Sequence, residues 1–327
     1  MPKPKVFVAR QVFQEALDMI SVEADMEVWT DEMPPPREVL LEKVSDVDGL
    51  LSLLTDKIDG ELMDAAPNLR AISQIAVGYE NIDIAEATSR GIPVGYTPGV
   101  LTGTTADMAF ALLMAAARKL VPGADAVRSG KWRTWHPLHF LGHDIFGSTL
   151  GILGMGRIGL EMAKRAKGFD MPILYNDVVR RSEEEEKQFN MTFANLDTVL
   201  QNSDFISVHV NLTPETYHLI GERALGLMKT TAVLVNAARG PVVDPKALYR
   251  ALSANDIAAA ALDVTEPEPI SANDPLVGLE NCLIVPHIAS ASVATRLKMS
   301  TLAAENLICA LKGQPMPNCV NPEVYQK

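Results

Sequence analysis

Three glycines, Gly154, Gly156 and Gly159, follow the apolar run 149–153 at a spacing suited to phosphate binding. The run predicts a buried strand, and the segment EMAKRAKGF after the glycines predicts a helix. Gly154 permits a tight turn, Gly156 lets a phosphate approach the backbone, and Gly159 lets the helix pack closely on the strand. Because the first amides of a helix lack partners within it, this turn is expected to bind the phosphates of a dinucleotide.

An acidic residue, Asp177, closes the next apolar run, PILYND. A carboxylate at that position can accept hydrogen bonds from both hydroxyls of an adenosine ribose, and it would repel the 2′-phosphate of NADP. Asp177 therefore favours NAD. Arg180 and Arg181 keep NADP possible, because they would either bind that phosphate or lie solvated in a loop. With Asp177 in place, a dinucleotide site explains the glycines better than an ordinary glycine-rich turn does.

Three further side chains of chemical interest, Arg239, Glu268 and His287, stand at the ends of apolar runs. They belong to the segments VLVNAARG, LDVTEPEP and LIVPHIAS. Since ligands of open α/β sheets bind beyond the carboxyl ends of the strands, all three are expected at the same edge as the glycine turn. Each has an ordinary alternative: Arg239 could form a surface ion pair, Glu268 could be solvated, and His287 could belong to a packing turn. Their coincidence beside a dinucleotide turn favours an active site.

Short apolar runs alternate with helical segments almost throughout the chain. This alternation predicts parallel βαβ units in sheets that are covered on both faces. Two Ala/Leu/Met-rich segments, 104–119 and 291–312, are interpreted as long helices that connect two lobes. The prediction is an α/β protein with a doubly wound parallel sheet in each lobe, one lobe formed by 1–100 plus 288–327 and the other by 101–287. A single large doubly wound sheet is the alternative.

The composition limits the classes of function. The chain has 327 residues, with 29 Lys and Arg against 41 Asp and Glu and a net charge of −12. The length favours two domains, and the charge argues against a nucleic-acid partner. The three cysteines are far apart and form no Cys/His cluster, so no metal site is predicted. No signal peptide or membrane span is recognised, so a cytoplasmic location without a membrane partner is expected.

Motifs along nearly the whole chain support a family resemblance. They are VGYENID (77–83), GVLTGTTADMAFALLMAAAR (99–118), RSGKWRTWHPLHFLG (128–142), LGMGRIG (153–159), NAARG (236–240), LDVTEPEP (262–269) and PHIAS (286–290). With these motifs the chain resembles the D-isomer-specific 2-hydroxyacid dehydrogenases, and the WHPLHFLG loop points to their glyoxylate/hydroxypyruvate reductase branch. The resemblance implies a flavodoxin-like substrate lobe, a Rossmann dinucleotide lobe, and NAD(P)H-dependent reduction of a small 2-oxo acid to the D-2-hydroxy acid.

The resemblance also implies a role for each of the three strand-end side chains. His287 would be the acid/base residue that gives a proton to the carbonyl oxygen during reduction. Glu268 would hydrogen-bond to His287 and favour its imidazolium form, and Glu266, two residues earlier, is the alternative assignment. Arg239 would bind the substrate carboxylate, polarise the carbonyl group, or do both.

Further contacts with substrate and cofactor follow from the same resemblance. The backbone amides of Val77 and Gly78 would bind the substrate carboxylate, and the two lobes would close on the substrate and exclude water. Leu53 is predicted to line the pocket near the substrate side chain. The cofactor contacts, besides the three glycines and Asp177, are Thr104, Arg157, Ile158, Ala237, Ala238, Asp263 and Ala289.

The aromatic loop 132–140 resembles a dimer-forming segment of the family, so a homodimer is expected. Trp135 is predicted to reach the substrate site of its own subunit or of the partner. A local hydrophobic cluster on its own subunit is the alternative.

Other functions within and outside this family stay open. A 3-phosphoglycerate dehydrogenase would need basic groups in the first lobe, where the stretch 49–83 supplies only Lys57 and Arg70. Phosphite dehydrogenases share the Arg/Glu/His trio and a similar loop. The alternative outside enzymes is a corepressor-like protein that senses NAD(H) and has the same fold.

Overall fold

The structure, a computed structural model, describes residues 2–326, and the chain divides into two compact units. The first unit contains Met1–Leu101 and Ala291–Lys327, and the second contains Thr102–Ser290. Each unit has its own sheet, and both sheets are parallel throughout. Among the helices described, none combines the length and the apolar character needed to cross a membrane.

The first unit is built on a five-stranded sheet of order β2-β1-β3-β4-β5. Its strands are β1 (Lys5–Val8), β2 (Asp25–Val28), β3 (Gly49–Ser52), β4 (Ala71–Gln74) and β5 (Val94–Gly95). Its helices are α1 (Gln14–Glu23), α2 (Arg37–Val44), α3 (Gly60–Ala65), α4 (Ile84–Ser89) and, from the end of the chain, α12 (Val293–Leu311). The strand order is that of flavodoxin-like folds.

The second unit is built on a seven-stranded sheet of order β12-β11-β10-β9-β6-β7-β8. Its strands are β6 (Leu150–Leu153), β7 (Ile173–Asn176), β8 (Met191–Phe193), β9 (Phe205–Val208), β10 (Val233–Asn236), β11 (Ala259–Leu262) and β12 (Cys282–Ile284). Its helices are α5 (Thr102–Ala117), α6 (Leu120–Arg128), α7 (Arg157–Lys167), α8 (Glu183–Phe189), α9 (Leu196–Asn202), α10 (Glu222–Leu227) and α11 (Pro245–Ala254). The strand order reverses between β6 and β9, which is where Rossmann sheets bind their ligands.

Burial explains why the central strands are apolar. Every residue of β6, β9, β10 and β11 is buried. Two separate hydrophobic clusters cover the two faces of this sheet, one with α5 and α7 and the other with α9, α10 and α11. A strand that is covered on both faces has a nearly continuous apolar sequence. The predicted α/β fold with two doubly wound sheets is confirmed, and the single-sheet alternative is wrong.

Three strands were not predicted from the sequence, and each lies at the edge of its sheet. β2 (DMEV) has no fully buried residue, β5 has two residues, and β8 has three. An edge strand is covered less completely than a central one, so its sequence need not be apolar. The two predicted long helices are present as α5 and α12.

Candidate active site

The glycine turn between β6 and α7 has the geometry that phosphate binding requires. Gly154 has a φ of +91°, and a β-carbon there would lie 2.6 Å from the backbone that follows β9. A β-carbon on Gly159 would lie 2.2 Å from the carbonyl oxygen of Gly154, whereas one on Gly156 would meet nothing within 4 Å. α7 begins directly afterwards at Arg157 and Ile158, whose amides belong to the first turn of the helix. The turn is therefore tight on its inner side and open at Gly156.

The carboxylate of Asp177 lies against this turn. Its Oδ2 accepts a hydrogen bond from the amide of Met155 at 2.6 Å, and its Oδ1 accepts one from the amide of Val179 at 3.1 Å. Because an ionised carboxylate has about four acceptor sites, it can still accept hydrogen bonds from two hydroxyl groups.

The two arginines that follow, Arg180 and Arg181, are both engaged within the second unit. Arg180 donates to the two carboxylate oxygens of Glu186 at 2.9 and 2.8 Å, and the buried Tyr175 hydroxyl donates to the same carboxylate at 2.7 Å. These hydrogen bonds, that of Arg180 first, lower the pKa of Glu186 to about 2. Arg181 donates from Nε to the carbonyl of Met155 at 2.8 Å.

Arg239 lies in a turn after β10 that is organised by a buried amide side chain. The side chain of Asn236 accepts a hydrogen bond from the amide of Ala238 at 3.0 Å and donates to the carbonyl of Arg239 at 2.9 Å. A β-carbon on the next residue, Gly240, would lie 1.8 Å from the carbonyl oxygen of Thr265. The Arg239 turn therefore packs directly on the loop that follows β11.

That loop also supplies Glu268, which pairs with His287. The Nδ1 atom of His287 lies 2.5 Å from Oε1 of Glu268, and the two side chains are 30% and 40% exposed. Burial raises the pKa of Glu268, but the hydrogen bond with His287 and the positive charges of His287 and Arg239 outweigh it, so this pKa lies below its ordinary value. The structure thus places an anionic carboxylate against an imidazole that a small molecule can reach.

The loop that carries His287 is held by Asp263, which is 1% exposed. The two carboxylate oxygens of Asp263 accept hydrogen bonds from the amides of Ile288 and Ala289 at 2.7 and 3.0 Å. Burial raises the pKa of Asp263, and these two amides oppose the rise. These hydrogen bonds hold the backbone directly after His287, and the predicted contact of Asp263 with a cofactor stays a prediction.

Three further predicted residues of the second unit lie at or near the ends of its strands and helices. Ala237 directly follows β10, and Thr104 lies in the first turn of α5. Glu266, the alternative partner for His287, pairs instead with His218 at 2.6 Å.

Leu53, Val77 and Gly78 lie in two loops at the carboxyl edge of the five-stranded sheet. The Nε2 atom of Gln74 donates to the carbonyl of Gly78 at 2.6 Å, and Nδ2 of Asn81 donates to the carbonyl of Leu53 at 3.1 Å. Gln74 and Asn81 also bond to each other at 2.8 Å, which fixes one loop relative to the other. Between residues 2 and 326, the amides of Val77 and Gly78 have no hydrogen-bond partner.

Trp135 is 78% exposed, and its neighbours in the aromatic loop are exposed as well. Trp132, Leu138 and Phe140 have 60%, 70% and 47% of their surfaces accessible. The exposure of these side chains does not favour a local hydrophobic cluster on the same subunit, and the role of Trp135 at a substrate site stays a prediction.

The sequence did not indicate a functional role for the side-chain amide groups of Asn236, Gln74 and Asn81. Each fixes the backbone of a loop that carries predicted site residues. Asn236 and Gln74 are polar residues at the ends of fully buried strands, and both are 0% exposed. A polar residue at the end of a buried strand is the signal that points to such a role, because a buried amide needs partners.

Comparison with known proteins identifies the class. The family model described as "D-isomer specific 2-hydroxyacid dehydrogenase, NAD binding domain" matches residues 110–289. The chain belongs to this family, as the fold and the Arg/Glu/His arrangement also indicate.

Three similar proteins extend the comparison over the whole chain. A glyoxylate reductase of Korarchaeum cryptofilum (strain OPF8) is 55% identical over 99% of this chain and 98% of its own length. The crystal structure of the TT0316 protein from Thermus thermophilus is 42% identical, with a TM-score of 0.92 over 97% of this chain and 99% of that chain. An NADPH-dependent glyoxylate/hydroxypyruvate reductase from Sinorhizobium meliloti, solved with NADP and malonate, is 31% identical, with a TM-score of 0.84 over 98% and 97%.

Proposed function

We propose that this protein reduces a small 2-oxo acid, glyoxylate or hydroxypyruvate, to the 2-hydroxy acid with a nicotinamide dinucleotide as hydride donor. The observation that carries the proposal is the contact of 2.5 Å between His287 and Glu268. It occurs on a loop packed against the Arg239 turn, at the same sheet edge as the glycine turn. The glyoxylate reductases among the relatives support the same reaction.

The proposed mechanism assigns a step to each residue. Arg239 binds the substrate carboxylate through paired, charge-assisted hydrogen bonds, and its charge polarises the neighbouring carbonyl group. The dinucleotide, when bound, supplies a hydride to C2 of the substrate. His287 donates a proton to the carbonyl oxygen from Nε2, because Nδ1 is held by Glu268. Glu268 orients the ring and stabilises the imidazolium before the proton leaves.

The residues of the glycine turn fit a dinucleotide. The space at Gly156 is open, and the first amides of α7 lie beside it. We assign Arg157 and Ile158 to the pyrophosphate through those amides. Thr104, Asp263, Ala289 and the backbone of 237–238 are assigned to the nicotinamide side by family resemblance.

We further propose that NAD(H) is preferred over NADP(H). Asp177 places a carboxylate at the turn, where a 2′-phosphate would be repelled. Both oxygens of Glu186 hold the guanidinium of Arg180, and the carbonyl of Met155 holds that of Arg181. Neither arginine can bind a 2′-phosphate without giving up these contacts, which supports the preference.

In the first unit, Val77 and Gly78 are proposed to bind the substrate carboxylate through their amides, with Leu53 beside the substrate side chain. We propose that this unit binds the substrate and that the second unit binds the dinucleotide. The exposed Trp135 loop is proposed to form a homodimer, because large apolar side chains in one exposed segment mark an interaction surface.

A phosphorylated substrate is disfavoured by the positions of the two cations that the sequence offered for it. Lys57 pairs with Asp59 at 2.8 Å, and Arg70 pairs with Asp48 at 3.0 Å. Each cation is already balanced by a carboxylate.

A matrix of initial rates tests the proposed reaction. NADH and NADPH are each combined with glyoxylate, hydroxypyruvate, pyruvate and 3-phosphohydroxypyruvate, and NAD is tested with phosphite. The expected result is fast oxidation of NADH by glyoxylate or hydroxypyruvate. Turnover only with NADPH would keep the reaction but overturn the role of Asp177. Binding of NADH without turnover of any substrate would overturn the reaction and favour a nucleotide-sensing protein.

A further inference from the structure

A second histidine–glutamate pair lies in the same unit, close to the first. The Nε2 atom of His218 lies 2.6 Å from Oε2 of Glu266, and the two side chains are 30% and 29% exposed. The ring of Tyr217 stacks on that of His218 with centroids 4.0 Å apart, and its hydroxyl donates to Oε1 of Glu266 at 3.3 Å. One carboxylate thus receives two partners from adjacent residues.

Each member of this pair is attached to a different catalytic loop. The backbone amide of His218 donates to the carbonyl of Pro241 at 2.8 Å, two residues after Arg239. Glu266 precedes Glu268 by two residues in the loop after β11. The side-chain pair therefore connects the turn that carries Arg239 to the loop that carries Glu268.

The connection adds to a close backbone approach. Gly240 has no room for a β-carbon, because the carbonyl oxygen of Thr265 lies 1.8 Å from where that atom would be. This approach sets the distance between the two loops at one point. The pair His218–Glu266 fixes them at a second point, and two points define the orientation of one loop on the other better than one does.

We propose that His218 and Glu266 are positioning residues for the reduction, and that they set the geometry between Arg239 and the Glu268–His287 pair. This inference rests on the proposed catalytic roles of that trio. His218 acts through Glu266, since Nε2 of its ring is directed at that carboxylate. Correct placement of reacting groups contributes strongly to catalysis, and a displacement of about 1 Å can cost ~10²-fold in rate.

Four variants test the proposal against a matched control. His218→Phe keeps a ring against Tyr217 but removes the hydrogen bond to Glu266, and it is expected to lower kcat about tenfold. Glu266→Ala is expected to give a similar loss. The double variant is expected to lose no more than the worse single variant, because the two side chains act as one unit. His218→Gln places an amide nitrogen near the position of Nε2 and is expected to restore kcat to within about threefold.

The control breaks an ion pair of similar length and exposure elsewhere in the unit. Lys229 and Asp204 are 2.7 Å apart with side chains 36% and 33% exposed, and they precede β10 and β9 at the opposite edge of the sheet. Lys229→Gln is expected to leave kcat unchanged.

Readouts other than activity separate positioning from general stability. The Kd of NADH and the melting temperature are expected to change little in the His218 variants. The deuterium isotope effect with NADH labelled at the transferred hydrogen is expected to rise, because the chemical step becomes slower. Additive losses in the double variant, no rescue by glutamine, or an unchanged kcat in His218→Phe would each overturn the proposal. His287→Asn is measured in parallel: its failure to lose turnover would reject the trio itself, whereas its loss of turnover beside a fully active His218→Phe would reject only the positioning role.

Discussion

The carboxyl edges of the two sheets differ in how many of their buried polar atoms have hydrogen-bond partners. At the edge of the seven-stranded sheet, Asn236 and Asp263 each make two hydrogen bonds to backbone groups, and Glu268 meets His287. The exception in this unit is Nδ1 of His209, which is buried and has no partner among residues 2–326.

The edge of the five-stranded sheet has more buried polar atoms without partners. Within the described part of the chain these are Nη1 of Arg10, Oγ of Ser52, Oδ1 of Asp56 and Oγ1 of Thr97. All four residues end a strand or follow one within a few residues. A buried polar atom without a partner costs about 1–3 kcal/mol of stability.

This difference indicates that the seven-stranded sheet positions its proposed site residues without a bound ligand. The second unit fixes the proposed acid, its carboxylate and the arginine turn with bonds of its own. The first unit buries the carboxyl group of Asp56, and that burial raises the pKa of the group and so disfavours its ionised form. Substitution of a proposed site residue at the edge of the seven-stranded sheet is therefore expected to lower activity. Substitution of Asp56 at the edge of the five-stranded sheet is expected to remove an unfavourable burial of charge.

The largest expected effect comes from breaking the pair at the seven-stranded edge. His287→Asn removes the proton donor, so kcat with glyoxylate is expected to fall about 10³-fold, as for other general acids. The Kd of NADH, measured by fluorescence titration, is expected to stay within about twofold of the wild-type value, a change of about 0.4 kcal/mol. Wild-type turnover in this variant would refute the assignment of the acid.

Removal of the arginine at the same edge should have the next largest effect. Arg239→Ala takes away charge-assisted hydrogen bonds worth about 1.5–3 kcal/mol each, so kcat/KM is expected to fall ~100-fold and saturation with the 2-oxo acid to disappear. Steady-state kinetics over a wide range of glyoxylate concentration provide the check. Arg239→Lys keeps the charge without the fork and should recover only part of the loss. A normal KM in Arg239→Ala would exclude the carboxylate clamp.

His209 is expected to make the stability of the second unit depend on pH. Burial lowers the pKa of His209 from its ordinary 6.5 to about 4, so the folded state keeps the ring neutral. The unfolded chain binds the extra proton, and the free energy of unfolding is expected to fall by about 2 kcal/mol between pH 7 and pH 5 because of this group. His209→Gln keeps an amide that can hydrogen-bond to the Ser207 hydroxyl, and it should remove that part of the loss. Urea unfolding at the two pH values measures the difference, and equal pH dependence in both proteins would disprove it.

Asp56 is expected to show the opposite sign and the smallest effect. Burial raises its pKa above 3.8, and the hydrogen bond from Leu53 and the charge of Arg10 oppose the rise only in part. The folded state therefore binds the proton more readily, so this group's contribution to stability is full below pH 3.8 and is lost as the pH rises through the folded pKa. Asp56→Asn should lack this dependence and be at least as stable as the wild type at pH 7, by up to about 1 kcal/mol. A clear destabilisation at pH 7 would show that the ionised carboxylate is favourable there.

The sequence allowed the architecture to be predicted and Arg239, Glu268 and His287 to be proposed as site residues, because both leave strong local signals. Central strands are apolar, the glycine spacing is specific, and Arg239, Glu268 and His287 end apolar runs. Edge strands β2, β5 and β8 left no such signal, since partial burial does not demand apolar residues. Glu266 and Glu268 could not be separated by sequence, because they lie two residues apart and only the path of the loop decides which one faces His287. The partners of Asn236, Gln74 and His218 lie in loops far away along the chain or in backbone groups, which no spacing reveals.

The first unit is assembled from both ends of the chain, and this has a consequence for biosynthesis. Ser73 in β4 donates to the carbonyl of Ala303 in α12 at 2.8 Å, and the amide of Val94 in β5 donates to Asn321 at 2.8 Å. These partners emerge from the ribosome after Thr102–Ser290, which is continuous and emerges as a whole. Domains generally fold as units during synthesis. The middle of this chain is therefore expected to fold before its beginning, and the first hundred residues are the part that chaperones must protect longest.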